Sequence, residues 1–384
     1  MTDTTLNAGP LEDGLGPLHG VYPPQGEEAG QVLRFQSTLE PKRFLGLSLR
    51  NGLLNIVTLT LYRFWGKTEV RRRVWQGVRL NGDAFEYTGQ GKELFIGFLL
   101  ALVALGLPML LAVFVVQFGG VAAIAILYPV LYFGLFWLWG FGLFTAFRYM
   151  ASRTTWRGVR FRLGGSARSY GFRYLGAIFL SGLSMGWFWP VAQRGLAEKL
   201  WDELRFGDRR IRFRMGRAEK VSVYGWYALG WVGTAVGYFV FIFGMVGLLA
   251  ALGMLDAPEG QAPGLGFTLG LYGMMLVLAP VFLLIWSPYH AAMLRSVSAG
   301  VTLDGAGFHL DVKAMPLWWL TVSNMAALLL SLGFLTPWVQ ARTAHFMVSR
   351  LTSAGTAHLD LARQAGKGPG SGEGLADAFG FSAI

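Results

Sequence analysis

The chain has 384 residues, of which 53% are hydrophobic and only 14% are charged, and its formal net charge is +11 at pH 7. Because soluble domains carry about 25% charged residues, this composition excludes an ordinary soluble protein. The lack of cysteine excludes disulfides, thiolate metal sites and a cysteine nucleophile. Most arginines flank apolar runs, where membrane topology and contact with anionic lipid explain them, so we expect no nucleic-acid partner.

The chain begins with a segment that we expect to be disordered. Residues 1–31 are rich in glycine and proline, are acidic rather than basic, and contain no apolar stretch of the kind found in a signal peptide. Internal similarity divides the remainder into units. The predicted organisation is an N-terminal tail (1–31), repeat unit 1 (32–165), repeat unit 2 (166–315), a partial repeat unit 3 (316–363) and a flexible C-terminal tail (364–384).

Three short stretches with a shared pattern of small and aromatic residues define these repeats. Ser184–Val191 reads SMGWFWPV, and Ser331–Trp338 reads SLGFLTPW at an offset of 147 residues. Thr58–Trp65, TLTLYRFW, aligns with both, although Thr60 and Phe64 replace the glycine and the proline. Repetition at one offset predicts a single structural unit that is used three times.

Each repeated stretch is followed by a predicted amphipathic helix and, in several places, by short strands. The helices are expected over Lys67–Gln76, Ala192–Leu204 and Val339–Thr352. Alternating patterns that are typical of half-buried strands occur at Val78–Tyr87, Trp156–Leu163, Arg209–Gly216 and Val301–Leu310. These strands could pair into a small sheet that lies on the membrane.

Four runs without charged or histidine side chains are long enough to cross a bilayer, which takes about 20 apolar residues. They are predicted to form two transmembrane hairpins, Leu94–Gln117 with Val121–Phe147 and Tyr224–Leu255 with Phe267–Trp286. The turn at Gly119–Gly120 and the loop Asp256–Gly264 carry no Lys or Arg, whereas the other connecting segments are strongly basic. The positive-inside rule therefore predicts a multi-pass protein of the bacterial inner membrane with its basic loops in the cytoplasm.

Three shorter apolar segments fit this topology poorly as simple spans. Tyr174–Trp189 has a basic loop at each end, Phe44–Leu61 contains Arg50 and Asn51, and Met315–Trp338 is assigned through the repeat alone. The predicted fold class is an α-helical integral membrane protein with internal repeats, in which two transmembrane hairpins are joined by three re-entrant or interfacial helical segments and short cytoplasmic β elements. Seven ordinary spans with one basic loop outside are the alternative, and whether residues 315–338 cross the membrane stays open.

A longer pattern resembles a known family. The pattern N-x-L-L-x-x-x-T-L-x-x-Y-x-x-W, followed by a basic helix and N-G-x-x-F-x-Y-x-G, resembles the YjgN-like family of bacterial inner-membrane proteins. It is carried by Asn51, Leu53, Leu54, Thr58, Leu59, Tyr62 and Trp65, by Arg71–Arg73, and by Asn81, Gly82, Phe85, Tyr87 and Gly89. The chain departs from the family at Thr60 and Phe64. Because the family is a domain of unknown function, the resemblance implies localisation and architecture but no catalytic residues.

No catalytic, cofactor-binding or metal-binding motif is recognisable, and Gly89–Glu93 lacks the spacing of a phosphate-binding loop. The candidate residues for a cavity or for lipid contact are polar side chains in apolar segments, and aromatic residues, prolines and arginines at the repeat ends. They are Asn51, Asn55, Tyr62, Trp65, Arg71, Arg72, Arg73, Trp189, Pro190, Asn324, Pro337 and Trp338. For Asn51 and Asn324, a hydrogen bond between helices is the alternative to a shared cavity.

The predicted function is that of a transporter, channel or lipid-handling protein built from repeated broken-helix units, without a cofactor. The alternative is a non-transporting membrane scaffold that binds a cytoplasmic partner through its basic strands or its C-terminal tail. An enzyme is not expected, because no nucleophile or acid–base pair stands out. The expected partners are membrane lipids, including anionic headgroups, with a second copy of the chain or a cytoplasmic protein as further candidates.

Overall fold

The computed structural model describes residues 30–253, 264–359 and 362–364. The predicted tails therefore lie outside the described residues up to residue 29 and from residue 365 onwards. Most of the loop Asp256–Gly264 also lies outside them.

Ten short antiparallel strands form one sheet in which each strand pairs with its neighbours in the chain. The strands are β1 (Phe35–Ser37), β2 (Val78–Leu80), β3 (Asp83–Tyr87), β4 (Thr154–Trp156), β5 (Val159–Leu163), β6 (Leu204–Phe206), β7 (Arg209–Phe213), β8 (Val301–Leu303), β9 (Ala306–Leu310) and β10 (Leu351–Ala354). Beside the two edge strands, Gln31 and Ala357 exchange two backbone hydrogen bonds of 2.9 Å each. This contact brings the edges together, and the sheet forms a nearly closed barrel.

The barrel is a series of β-hairpins. Within the described chain, four tight turns each join a three-residue strand to a five-residue strand, as β2 is joined to β3. Asn81 and Gly82 both have positive φ, 50° and 92°, which is the backbone that Asn-Gly hairpin turns require. The fifth pair is formed by the two ends of the described chain, where the Ser353 hydroxyl donates to the Leu33 carbonyl at 2.7 Å.

Helices connect each hairpin to the next. They are α1 (Phe44–Val57), α2 (Arg63–Gln76), α3 (Gly91–Phe118), α4 (Gly120–Ser152), α5 (Ala167–Leu183), α6 (Trp189–Asp202), α7 (Met215–Ala218), α8 (Tyr224–Ala251), α9 (Leu265–Gly300), α10 (Ala314–Leu330) and α11 (Thr336–Val348), with a 3₁₀ turn at Pro41–Arg43. Short pairs (α1–α2, α5–α6, α10–α11) alternate with long pairs (α3–α4, α8–α9). Because neighbouring strands are antiparallel, the helix pairs leave one end of the barrel, the helix end, and the tight turns lie at the other, the turn end.

The three repeated stretches form the same joint within the short helix pairs. At the equivalent positions Thr58, Ser184 and Ser331, the hydroxyl oxygen accepts a hydrogen bond from the backbone N–H four residues later, at 2.9, 2.9 and 3.1 Å. The next two residues turn the chain with positive φ, for example 49° at Met185 and 92° at Gly186. In the first copy Thr60 adopts a φ of 71° without being glycine. The repeated sequence motif is thus a tight helix–helix turn.

Among the described residues, three helical stretches are long and apolar enough to cross a membrane: Leu127–Ser152, Tyr224–Ala251 and Leu265–Gly300. Large apolar side chains on these helices are exposed, including Val232, which is 61% exposed on α8. Exposed apolar helix surface on this scale fits a lipid environment. The predicted span Leu94–Gln117 lies within α3, where the described residues include the shorter apolar stretch Met109–Phe118. The chain has the properties of a membrane protein.

The predicted fold class is wrong. We expected short β elements attached to two transmembrane hairpins and three re-entrant segments, but the strands form one ten-stranded sheet that organises the whole chain. The strands have only three to five residues, and helix pairs separate one hairpin from the next. Alternation therefore indicates which residues form a hairpin, but not which strands of other hairpins pair with it. Strands β1, β6 and β10 were missed entirely. Residues of β6 and β10 were expected in the amphipathic helices Ala192–Leu204 and Val339–Thr352.

The arrangement of the barrel leads to a topology prediction. Asp208 lies in the β6–β7 turn and Arg168 near the start of α5, so they mark the two ends of the barrel. Because both lie in strongly basic segments, we expect single cysteines at both sites to resist an impermeant maleimide in intact spheroplasts. Asp256→Cys, between α8 and α9, should react and serves as the positive control. Labelling of Asp208→Cys from outside would contradict a cytoplasmic barrel.

Candidate functional site

The inner wall of the barrel results from alternation along its strands. In β7, Phe213 is buried whereas Arg212 is exposed, and in β5, Leu163 is buried whereas Arg162 is exposed. Successive side chains of a strand point to opposite faces of a sheet. The strands therefore give the interior an apolar surface and leave the basic residues on the outer wall.

The barrel contains an apolar cavity of about 540 Å³. Among the residues that line it, Ser298 alone carries a hydroxyl, and that hydroxyl donates to the Arg295 carbonyl at 2.9 Å. The strand residues that line the cavity are Phe35, Leu80, Phe85, Trp156, Phe161, Leu204, Phe206, Ile211, Val301, Leu303, Phe308, Leu310 and Leu351. No Asp, Glu, Lys, Arg or His is among the described lining residues, so the cavity suits an apolar ligand and not acid–base chemistry.

Aromatic rings from different strands pack against one another around this cavity. Phe206 packs against Phe161 and Trp156, with ring centroids 4.9 and 5.7 Å apart. Phe35 and Phe308 meet edge to face at 6.0 Å across the contact between the chain ends. Such pairs add about 0.5–1.5 kcal/mol beyond burial, and they hold the wall of the cavity in place.

Helices cover one end of the cavity, and described residues that follow β10 lie at the other. At the helix end, the lining residues include Trp201 of α6, Val297 of α9 and Met347 of α11. At the turn end, Leu359 lines the cavity from the segment that follows β10. Further along the chain, Arg363 and Asp208, which lies in the β6–β7 turn, exchange hydrogen bonds of 3.1 Å each. Both ends of the cavity thus have identifiable covers.

A second cleft brings together four of the predicted site residues. Tyr62, Trp65, Arg72 and Arg73 line a groove of about 610 Å³ between α2 and the start of α3, together with Lys92. Arg72 and Arg73 are both exposed, and Arg73 donates to Glu69 at 2.8 Å. Aromatic rings beside cations are typical of the headgroup level of a membrane. Lipid contact at this groove stays a prediction.

Arg71 is placed differently from its two neighbours. It is 4% exposed and donates to the Tyr87 hydroxyl at 3.3 Å. The Tyr87 hydroxyl in turn contacts Tyr149 at 3.5 Å, and Tyr149 donates to Glu93 at 3.2 Å. Glu93 also forms an ion pair with Arg153 at 2.9 Å. Arg71 therefore belongs to a buried polar chain that ties α2 and β3 to α3 and α4.

The predicted asparagines lie between helices of the short pairs. Asn324 donates to Thr343 at 3.1 Å and accepts from Arg342 at 2.9 Å, which links α10 to α11. Partial burial lowers the pKa of the Arg342 guanidinium. At the corresponding place in the first pair, Asn51 is 5% exposed and packs against Gly66 of α2. The side-chain oxygen of Asn55 is buried without a hydrogen-bond partner.

The remaining predicted residues lie at the starts of two helices. Trp189 and Pro190 begin α6, and Pro337 lies in the first turn of α11, where a missing backbone N–H has no cost. Trp338 follows Pro337, and the Arg342 guanidinium lies 5.2 Å from the centre of its ring. These four residues position helices, and none of the twelve predicted residues lines the barrel cavity.

The cavity was not predicted from the sequence, because the residues that line it have the pattern of an ordinary hydrophobic core. Leu80, Phe161 and Phe308 alternate with polar residues within the segments predicted as strands, so their inward orientation could be expected. What could not be expected is that the ten short strands enclose a space too large for these side chains to fill. The described residues also contain no cluster of three or more His, Asp or Glu side chains that could hold a metal ion.

The fold and the cavity define a membrane protein in which helix pairs leave one end of a ten-stranded barrel with an apolar interior. The profile of a family described as bacterial protein of unknown function (DUF898) matches residues 32–378, and the chain belongs to this family. This confirms the resemblance to the YjgN-like family. No curated protein and no solved structure shows a significant match to the chain.

The contact between Arg342 and Asn324 leads to a stability prediction. In a double-mutant cycle with Arg342→Met and Asn324→Ala, we expect a coupling energy of about 0.5–3 kcal/mol, because each substitution removes the partner of the other. The measurement is the free energy of unfolding of the detergent-solubilised protein. Arg342→Met combined with Thr268→Ala, at the start of α9, should be additive. A cycle with no coupling would contradict a structural role for this pair.

Proposed function

We propose that the protein is a membrane-anchored lipid-binding protein whose barrel accepts an acyl chain or another apolar chain of similar width. The observation that carries this proposal is the cavity of about 540 Å³ with its aliphatic and aromatic wall. Pockets for small ligands have volumes of about 300–1,000 Å³ and are mostly apolar. The cavity has the size and the chemistry of such a pocket.

Burial of an apolar chain in this cavity would be favourable without any specific polar contact. Removing apolar surface from water contributes about 25 cal/mol per Å². The wall carries no charged group that would have to be desolvated, and the Ser298 hydroxyl already has a partner. The same lack of charges offers no stabilisation to an ion or a sugar, so specificity for apolar chains follows from the wall itself.

The position of the barrel supports a lipid as the source of that chain. Helices α4, α8 and α9 run from the helix end and contain the three stretches suited to cross a membrane. We place the protein in the bacterial inner membrane with its basic segments in the cytoplasm, which would put the helix end of the barrel next to the bilayer. The groove with Trp65, Arg72 and Lys92 would then face anionic headgroups.

Of the three activities predicted from the sequence, namely transporter, channel and lipid handling, the proposal retains lipid handling. An ion channel or a transporter of polar solutes would need several polar groups along its path, and the described wall offers one hydroxyl, that of Ser298, and no charged side chain. The alternative of a scaffold that binds a cytoplasmic partner would use the outer wall of the barrel, where the basic strand residues lie. That alternative predicts that substitutions in the barrel cavity leave fatty-acid binding unchanged.

A cavity-filling substitution tests the proposal. Val297 lines the cavity from α9, and we expect Val297→Phe to weaken binding of a spin-labelled fatty acid about tenfold, because a larger side chain occupies the space of the ligand. Binding would be measured by electron paramagnetic resonance on protein purified in digitonin. Val232→Phe is the matched control, since Val232 is 61% exposed on α8.

A second variant separates loss of binding from loss of folding. Leu303→Ala enlarges the cavity, so it should lower stability by about 2–5 kcal/mol while the protein still binds the fatty acid. If Val297→Phe and Val232→Phe bind the fatty acid equally well, the cavity is not the binding site and the proposed function is wrong.

A further inference from the structure

The groove between α2 and the start of α3, which we call the basic groove, carries positive charge that the described residues do not neutralise. Among the described residues that line it, Arg72, Arg73 and Lys92 are cationic and Glu69 alone is anionic. Glu69 is already engaged, since Arg73 donates to it at 2.8 Å and Arg50 forms an ion pair with it as well. Within the described chain, neither Arg72 nor Lys92 has an ion-pair partner.

Neutral hydrogen-bond donors add to these charges. Gln76 and Gln90 also line the basic groove, and their side chains are exposed and make no hydrogen bond to a described residue. A carboxamide offers two N–H donors, an ammonium three and a guanidinium five. The basic groove thus presents many donors and no unengaged carboxylate. Such a set suits phosphate, whose oxygens accept strong hydrogen bonds from charged donors.

The basic groove is larger than a bare phosphate ion requires. Its volume of about 610 Å³ lies within the range of about 300–1,000 Å³ that is usual for small-ligand pockets. This volume leaves room for the glycerol that carries the phosphate in a phospholipid.

The α3 side of the basic groove leads to apolar surface. Lys92 lies in the first turn of α3, and Ile96, Leu100 and Val103 are exposed farther along the same helix. At 1.5 Å per residue, these three residues lie about 6–17 Å beyond Lys92 along the helix axis. Because α3 leaves the helix end of the barrel, its surface changes from basic to apolar with distance from the barrel.

Helix α2 shows the same change in the opposite chain direction. It runs towards the barrel, so Tyr62 and Trp65 at its start lie farther from the barrel than Arg72 and Arg73. The rings of Trp65 and Phe95 have centroids 5.7 Å apart, which ties the aromatic part of α2 to α3. Aromatic rings are typical of the level at which headgroups meet acyl chains. The basic groove is therefore cationic near the barrel and aromatic away from it.

We infer that the basic groove binds the phosphate of an anionic phospholipid, whose acyl chains lie along the apolar surface of α3. Arg72 and Lys92 supply the two unneutralised charges that pair with the headgroup. A zwitterionic headgroup fits less well, because its ammonium adds a positive charge beside these two cations. The inference deepens the proposed function and rests on it for the position of the helix end next to the bilayer. It concerns a separate site, since the basic groove and the barrel cavity share no lining residue.

The test measures binding of acyl-labelled phosphatidylglycerol to the full chain in digitonin by electron paramagnetic resonance. In the variant Arg72→Gln/Lys92→Gln we expect the Kd to rise about tenfold, because both unneutralised charges are removed. The matched control is Arg162→Gln/Arg212→Gln, which removes two exposed arginines from the outer wall of the barrel. It should bind phosphatidylglycerol like the unchanged protein.

Two further ligands identify the source of the phosphate. Acyl-labelled phosphatidylethanolamine should bind the unchanged protein about fivefold more weakly than phosphatidylglycerol, and equal binding would contradict an anionic headgroup. Inorganic phosphate at about 10 mM should leave phosphatidylglycerol bound, because it lacks the acyl chains. Displacement by inorganic phosphate would assign the basic groove to free phosphate and overturn the inference.

Equal Kd values for the groove variant and the unchanged protein would also overturn it. So would an equal loss in the control, because overall charge would then account for binding. Binding of phosphatidylglycerol by the groove variant reports on the basic groove, whereas binding of the fatty acid by Val297→Phe reports on the barrel. Either the inference or the proposed function can therefore fail while the other holds.

Discussion

The pairing between the two ends of the described chain is the contact on which the rest of the structure depends. Gln31 and Ala357 exchange backbone hydrogen bonds, and the nearby bond from Ser353 to Leu33 spans 320 residues. Without this contact, β1 and β10 would be open edges of a sheet whose strands have only three to five residues. Strands of this length gain stability mainly from neighbours on both sides and from a shared interior. Closure supplies both, so the four hairpins and the two end strands stabilise one another.

Closure also separates two surfaces of opposite character within the same strands. Alternation directs Phe161 and Phe206 inwards and Arg162 and Arg205 outwards. The inner surface lines the apolar cavity, and the outer surface carries the basic side chains. The helix pairs add a third environment, since α8 and α9 expose apolar side chains along stretches suited to cross a membrane. The proposed lipid binding combines the first and third of these environments.

Local features could be predicted from the sequence, and long-range ones could not. The joint at Ser184–Gly186 and the turn at Asn81–Gly82 depend on residues close in the chain, so motif and spacing indicate them. The groove with Tyr62 and Arg72 follows from a helix that carries both residues. Barrel closure depends instead on residues more than 300 positions apart, and neither Gln31 nor Ala357 lies in a recognisable strand pattern. Likewise, Arg71 looks like its neighbours in sequence, and only packing against Tyr87 places it inside.

The most direct test of closure uses the lack of native cysteine. Residues of a hydrogen-bonded antiparallel pair have Cα atoms about 5.5 Å apart, within the range of a disulfide. In the double variant Gln31→Cys/Ala357→Cys, mild oxidation in membranes should give an intramolecular disulfide in high yield, detected by mass spectrometry. The control pair Gln31→Cys/Thr88→Cys joins opposite ends of the barrel and should not form one. Absence of the disulfide in the first pair, or equal yields in both, would contradict a barrel closed by the chain ends.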